Sequence, residues 1–305
     1  MIGATNATPN GGIPATDRDD GHPTFATLRP RLFGIAYRVL GSSAEANDVV
    51  QEAWLRWEAC DQNAVRNPAA FLATTTTRLA LNVAQSARLR RETYVGQWLP
   101  EPVDTRDDPA LGAERSEALE LAVLLLLEKL RPRERAVYVL SEAFDYSYAQ
   151  IAEMLGITEA HARQLASRAR KFLGGERRRA VSSEEHRRLF EAFLAAARAG
   201  DRARLEQLLT SDVVSYSDGG GLAVAAPRPI VGRERVAKFV VGVLTKTWSD
   251  AALDGVEANG RAAVLVSRQG KALGILTIGV STDGVDRAFW VVNPNKTAGL
   301  APARR

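Results

Sequence analysis

SYAQIAEMLGITEAHARQLASRARKFL, Ser147 to Leu173, reads as two short helices joined at Gly156–Ile157–Thr158. Ser147 and Gln150 have the spacing of a capping box, in which side chains satisfy the backbone N–H groups that open a helix. Ala149, Ile151, Ala152 and Leu155 give the first helix a small apolar face, and Gly156 can close it in a left-handed conformation. Thr158 has the right type to N-cap the second helix. There Ala162, Leu165, Ala166, Ala169, Phe172 and Leu173 recur at helical spacing and face inward. His161, Arg163, Gln164, Ser167, Arg168, Arg170 and Lys171 are left outside. An apolar side that docks and a polar side that reaches base edges and phosphates make a helix-turn-helix. A solvated αα-hairpin has the same outline, so the rest of the chain must decide.

The chain has 305 residues, 46% hydrophobic and 25% charged, the balance of an ordinary globular protein with room for two or three domains. Its longest apolar run, Leu121–Leu127, is far too short to span a bilayer. The opening residues 1–24 lack a basic and then apolar leader and are rich in Gly, Asn, Thr, Pro and Asp; they read as a disordered extension. A single cysteine, Cys60, leaves no intramolecular disulfide and no cysteine-based zinc site. These features predict a cytoplasmic protein with no membrane partner, no metal and no cofactor. The net charge of +4 is modest, but cations gather at Arg88–Arg91 and Arg163–Arg179, as two separated contacts with a polyanion require.

Residues 25–92 are helical in pattern. Leu28, Leu32, Ile35, Ala36, Val39 and Leu40 form one stripe, stopped by Gly41. Ser42 and Glu45 suggest a second capping box, followed by the stripe Ala46, Val49, Val50, Ala53 and Trp57. On that helix Asp48, Gln51, Glu52 and Leu55 share the opposite face, an acidic surface with one apolar member that suits a basic partner helix. Asn67 and Pro68 open a third helix as N-cap and first residue. Arg78, Asn82, Gln85, Ser86, Arg88 and Arg90 lie away from its core side and can reach phosphates or unstacked bases.

In this order the segments resemble the bacterial extracytoplasmic-function sigma factors. EANDVVQEAWLRW (Glu45–Trp57) is similar to their segment that grips the β′ clamp helices of core RNA polymerase. RNPAAFLATTTTRLALNVAQSARLRRE (Arg66–Glu92) is similar to their −10 reader, and the helix-turn-helix falls where region 4 reads the −35 element. Asn47 and Asn82 stand where many members carry acids. The resemblance implies polymerase contacts at Asp48, Gln51, Glu52 and Leu55. It implies −10 contacts at Arg78, Asn82, Gln85, Ser86, Arg88 and Arg90. His161, Arg163, Gln164, Ser167, Arg168 and Lys171 would lie on the −35 element of promoter DNA.

The linker, residues 93–112, is rich in prolines and acids and predicted to be extended. Its WLPEP (Trp98–Pro102) resembles a signature of the sigma-factor subgroup that carries a fused SnoaL-like domain. A helix is expected over Ala113–Leu130, another from Pro132, and Gly174–Gly175 is expected to end the recognition helix. After residue 184, helices over His186–Leu209 and Arg233–Leu244 precede runs such as RAAVLVSRQG, KALGILTIGVSTDG and VDRAFWVVNP, which fit a curved antiparallel sheet. Asp218–Gly221 (DGGG) and Asn293–Lys296 (NPNK) match the subgroup's DGGGK and NPDK, with Leu222 and Asn295 as departures. The resemblance makes Trp98, Leu99, Pro100, Asp218, Gly219, Gly220, Gly221, Asn293, Pro294 and Lys296 an interdomain regulatory contact. An apolar contact is expected at Leu222, where the cation is missing.

The expected fold class is therefore multidomain: two all-α sigma domains, the second with the helix-turn-helix, and an α+β SnoaL-like cone. The expected boundaries are 1–24 extension, 25–92 region 2, 93–112 linker, 113–180 region 4, 184–300 cone and 301–305 tail. The expected function is promoter-specific initiation with core polymerase, modulated by the cone and by a small-molecule ligand within it. Two rivals stand beside it, a ligand-responsive helix-turn-helix repressor and a SnoaL-like isomerase or cyclase tethered to DNA. His22, His161 and His186 all lie outside the predicted sheet, and Asp218, Asp254, Glu257, Asp283 or Asp286 could serve as an acid only if buried. That weighs against catalysis.

Overall fold

In a computed structural model of the chain, residues 25–105, 119–176, 181–298 and 300 are described, without the side chains of 88–89 and 175–176. The expected extension, the linker beyond residue 105 and the tail after 300 lie outside these. Three helices come first: α1 (Phe25–Leu40), α2 (Ser43–Ala59) and α3 (Pro68–Glu92). Ser42 caps α2 by accepting from the Glu45 amide at 3.3 Å, and Asn67 caps α3 ahead of Pro68. Four more follow, α4 (Leu121–Glu128), α5 (Pro132–Glu142), α6 (Tyr148–Leu155) and α7 (Glu159–Glu176).

The pair α6–α7 forms as its residues dictate. Both halves of the Ser147–Gln150 box are present, Gly156 is left-handed at φ 63°, and the Thr158 hydroxyl accepts from the His161 amide at 3.2 Å. Two expectations are corrected. Gly174–Gly175 do not end the recognition helix, which runs to Glu176. Glycine costs about 1 kcal/mol in a helix interior, too little to break one anchored by buried Ala169 and Leu173. Nor does a helix fill the described end of 113–130: it starts only at Leu121, because Glu120 is extended (ψ 137°) and its carboxylate meets Arg261 at 2.5 Å.

Both helical blocks feed a single apolar cluster, from Leu32 and Ile35 through Leu72 and Leu79 to Leu140, Ile151, Leu165 and Leu173. Helix α3 packs on α5 and α6, and α1 packs on α5. Buried Arg135 ties the blocks together, donating to the carbonyls of Leu127 (2.8 Å) and Val39 (2.7 Å) and pairing with Glu128.

The C-terminal part opens with α8 (Ser183–Ala199) and α9 (Arg202–Leu208). Six strands follow, β1 (Leu209–Asp218), β2 (Ile230–Val231), β3 (Ala252–Ala258), β4 (Arg261–Arg268), β5 (Lys271–Ser281) and β6 (Gly284–Val291). Helix α10 (Arg233–Gly242) lies between β2 and β3, and a short α11 (Pro294–Thr297) ends the described fold. The sheet order is β2-β1-β6-β5-β4-β3. It is mixed rather than wholly antiparallel, because β1 and β6 run parallel. Their long separation in sequence permits the crossover that parallel pairing needs.

Alternate residues of the sheet face two different cores. Val264, Val266, Leu276, Ile278 and Trp290 pack with Phe190, Phe193, Val236 and Val240 of the helices. Ala263, Ile275, Phe289 and Val291 face the other way, onto Leu99 of the linker and Leu121 of α4. With both faces covered, β4 and β5 are buried almost without interruption, as sheets covered on both sides are. No described helix is long and apolar enough to cross a membrane.

Candidate nucleic-acid interface and interdomain clamp

Asp48, Gln51, Glu52 and Leu55 are all exposed along α2. Leu55 is 54% exposed, a large apolar side chain left bare at the end of an acidic row. Glu52 holds Arg56 one turn on at 2.9 Å, and Asn47 accepts from Arg29 at 3.0 Å. On α3, Asn82, Gln85, Ser86 and Arg90 are exposed, while the side chain of Arg88 lies outside the described residues. Arg90 pairs with Glu45 of α2. Arg78 is engaged differently: its Nε donates to the Met154 carbonyl at 2.7 Å and its Nη2 to the Glu153 carbonyl at 3.3 Å. It thus satisfies the C-terminal carbonyls of α6, the first helix of the helix-turn-helix.

On α7, His161, Arg163, Gln164, Ser167, Arg168 and Lys171 all face solvent. Arg163 pairs with Glu159 one turn before it. Arg170, in the same row, is turned inward to Glu142 (2.7 Å) and the Tyr148 hydroxyl (2.5 Å), contacts that raise its pKa. It braces α7 against α5 and α6, leaving its neighbours to face outward.

The three signatures named from sequence meet in one place. Asp218, fully buried at the end of β1, accepts from the Tyr94 hydroxyl at 2.6 Å, the Leu99 amide at 2.9 Å and Lys296 at 2.7 Å. Lys296 also donates to the Leu99 carbonyl, and its ammonium lies 4.3 Å from the Trp98 ring centroid. Burial pushes the Lys296 pKa down, and Asp218 opposes that shift. Burial followed by the bond to Asp218 pushes the Tyr94 phenol up, so it stays a donor. Asn293 donates to Tyr94 at 2.8 Å and accepts from the Asn295 amide at 3.0 Å, so Asn295 acts there through its backbone. Gly220 is left-handed at φ 58°, and a Cβ there would lie 2.2 Å from the Asn293 amide nitrogen. Leu222 is 62% exposed, so no buried apolar contact forms there; Val95 lies over Gly221, where an added Cβ would come within 3.3 Å of it. Lys296, the last residue of NPNK, balances Asp218.

Further partners of the linker carried no sequence signal. Trp98 stacks under Arg91, whose guanidinium lies 3.6 Å from the ring centroid. Glu101 binds the N-terminus of α2, accepting from the Ser43 amide at 2.8 Å and the Ser43 hydroxyl at 2.5 Å. Tyr37 of α1 donates to the Glu101 carbonyl at 2.6 Å. Buried Asn259, left-handed at φ 55°, donates to Tyr37 (2.6 Å) and the Leu119 carbonyl (3.0 Å) and accepts from the Val103 amide (3.2 Å). Asp104 and Ala258 form a bridge, which adds the linker to the edge of β3. A left-handed Asn beside glycine is a turn signal that VEANGRAAV does carry; its buried side-chain role depends on chain 140 to 222 residues away.

A cavity of about 600 Å³ lies between α10 and the sheet, floored by Trp290 and Leu273 and walled by Phe239 and Trp248. Among the described residues no Asp, Glu or His lines it. Asp218, the one buried carboxylate among the five named as acids that meets the linker, is taken up by that contact. The His186 Nε2 donates to the Ile278 carbonyl (2.9 Å) inside the fold, where burial lowers its pKa to about 4.

Comparison with known proteins agrees with this architecture. Residues 24–93 match the Sigma-70 region 2 model and residues 120–173 the Sigma-70 region 4 model. The chain is 40% identical over 227 residues to the ECF RNA polymerase sigma factor SigJ of Mycobacterium tuberculosis, covering 73% of this chain and 72% of the relative. It is 30% identical over 273 residues to the probable ECF sigma factor SigI of the same species, covering 88% and 91%. The crystal structure of M. tuberculosis SigJ superposes with a TM-score of 0.74 at 35% identity, over 92% of this chain and 99% of that one. Its two sigma regions imply binding to core RNA polymerase and promoter DNA, and the chain belongs to the extracytoplasmic-function RNA polymerase sigma factors.

Proposed function

We propose that the protein directs core polymerase to a two-part promoter, and that its cone domain controls this by clamping the linker between the two DNA readers. Asp48, Gln51, Glu52 and Leu55 take the β′ clamp helices. Asn82, Gln85, Ser86, Arg88 and Arg90 take the −10 element, joined by Arg78 once it leaves the Met154 and Glu153 carbonyls. His161, Arg163, Gln164, Ser167, Arg168 and Lys171 take the −35 element. The carrying observation is the Asp218 contact, where one buried carboxylate holds Tyr94, Leu99 and Lys296. A linker gripped between Tyr94 and Thr105 fixes the separation of the readers. The shared core of regions 2 and 4 then marks a closed form that must open for both to reach DNA. A small molecule in the cone cavity would set the balance between the two forms.

Run-off transcription with purified core polymerase tests this in the full chain. The native protein should initiate at a promoter with both elements, and Asp218→Asn should change its preferred spacer length or its activity at least threefold. A chain that fails to bind core polymerase defeats the reading; one that binds but ignores Asp218→Asn defeats the clamp alone.

A further inference from the structure

We infer that the cone cavity binds an uncharged, mostly apolar ring compound carrying one carbonyl-type acceptor, and that such a ligand favours the clamped linker. The inference rests on reading the cone as a linker clamp. About 600 Å³ is the size of a small-molecule site, and its walls include Phe239, Trp248, Trp290 and Leu273. Aromatic side chains of this kind offer flat apolar area to a ring.

Two residues of the lining each carry a buried polar atom without a partner. The Ser217 hydroxyl is buried and unbonded, with the residue only 2% exposed. The Arg268 Nε is also buried and unbonded, although its Nη2 donates to Asp250 (2.6 Å) and the Thr247 carbonyl (3.0 Å). Buried donors without partners carry a desolvation cost that an acceptor on a ligand removes. Because Asp250 already balances the guanidinium, the complement is a neutral acceptor rather than an acid.

The same site touches the clamp. Ala223–Ala226 wall the cavity, and the loop that bears them begins at Asp218. Gln97 of the linker donates to the Ala226 carbonyl at 2.8 Å, and a Cβ on Gly221 would lie 3.3 Å from Val95. The loop closes tightly at its root, where the Leu222 and Ala223 amides donate to the Gly219 carbonyl (2.9 and 3.1 Å) and a Cβ on Gly219 would lie 2.3 Å from the Ala223 carbonyl oxygen. A compound seated against this wall prefers the arrangement in which the wall exists, which is the clamped one, and clamping in turn raises its affinity by the same factor.

Prodan, an uncharged fluorescent naphthyl ketone, is a direct probe for the full-length protein. We expect one saturable site, at least tenfold weaker after Leu273→Trp fills the cavity and three- to tenfold weaker after Ser217→Ala. Should Leu273→Trp fail to fold, Thr247→Trp at the exposed rim serves instead. The anionic 1-anilinonaphthalene-8-sulfonate should bind more weakly than prodan. Saturating prodan should slow hydrogen exchange at the amides of residues 94–99 at least threefold. Binding that ignores the filling variants, or favours the sulfonate, overturns the site. Binding without altered exchange at 94–99 overturns the coupling. Run-off transcription by the same preparation without prodan reports separately on the sigma-factor reading, and Asp218→Asn reports on the clamp.

Discussion

His161, Gln164, Ser167 and Arg168 stand bare along α7, whereas Asp218, Leu99 and Asn259 are sealed between linker and sheet with every contact made inside the protein. The first group can be read from helical periodicity, because an exposed polar face is one the fold does not use. The second is legible only when distant segments are brought together. Substitution should separate them: changes on the DNA-facing side should alter partner choice at nearly constant stability, and changes in the clamp should cost stability and coupling together.

The largest effect is expected at Asp218. Asp218→Ala leaves the Lys296 ammonium, the Tyr94 hydroxyl and the Leu99 amide buried beside an emptied site, and breaking a buried pair from one side costs about 3–5 kcal/mol. Urea unfolding measures it. Pairing Asp218→Asn with Lys296→Met should restore more than half, since no lone charge stays buried. A loss below about 1 kcal/mol for Asp218→Ala would erase the contrast with the DNA-facing side.

Acid should act next, through His186. Its pKa falls from 6.5 to about 4 because burial disfavours the imidazolium, so the unfolded chain binds the extra proton first as pH drops. This contribution is complete above pH 6.5 and is lost towards pH 4, at most about 3 kcal/mol. His186→Gln should flatten that part of the stability–pH curve in thermal melts. Asn259 should rank close behind. Asn259→Ala orphans the Val103 amide and the Leu119 carbonyl and also forces alanine into a left-handed backbone, a strain of about 1–2 kcal/mol that Asn259→Gly avoids. The alanine variant should be the less stable of the two by that difference.

What the sequence made legible follows the same division. Caps at Ser147 and Asn67, the left-handed Gly156 and the stripes of α1, α2 and α7 are local, and each is set by residues within one or two turns. The mixed sheet was not local: parallel β1–β6 pairing joins residues about 75 apart, and strands buried on both faces lose the alternation that marks a one-sided sheet. The WLPEP, DGGG and NPNK segments could be named, yet the roles inside them needed coordinates. Glu101 as a cap for α2 and Lys296 as the counter-ion of Asp218 depend on chain folded back from far away.

On the DNA-facing side the expected changes are in specificity. Arg168→Ala should shift preference among −35 sequences by about 1–3 kcal/mol, the range for a side chain that reads a base edge, and move the melting free energy by less than about 0.5 kcal/mol. Promoter competition assays give the first number and unfolding the second. Asp48→Lys with Glu52→Lys should weaken core binding at least tenfold while removing only the exposed Glu52–Arg56 pair, which is worth about 0.3–0.5 kcal/mol.

The smallest effect belongs to Leu222, and it bears on both regions at once. The missing cation suggested an apolar contact at this position, yet Leu222 is 62% exposed, and it is Gly221 whose added Cβ would lie 3.3 Å from Val95. An exposed side chain without a specific partner contributes within about 0.5 kcal/mol. Leu222→Ala should therefore leave both unfolding and linker exchange unchanged. Leu222→Lys should do little more, because the nearby Asp218 carboxylate is buried and already held by Lys296 at 2.7 Å. The Lys296 ammonium that meets Asp218 is mostly buried, so salt screens the pair little. Exchange at residues 94–99 that slows markedly in Leu222→Lys, or quickens in Leu222→Ala, would place the exposed loop inside the clamp and move the boundary between the two regions.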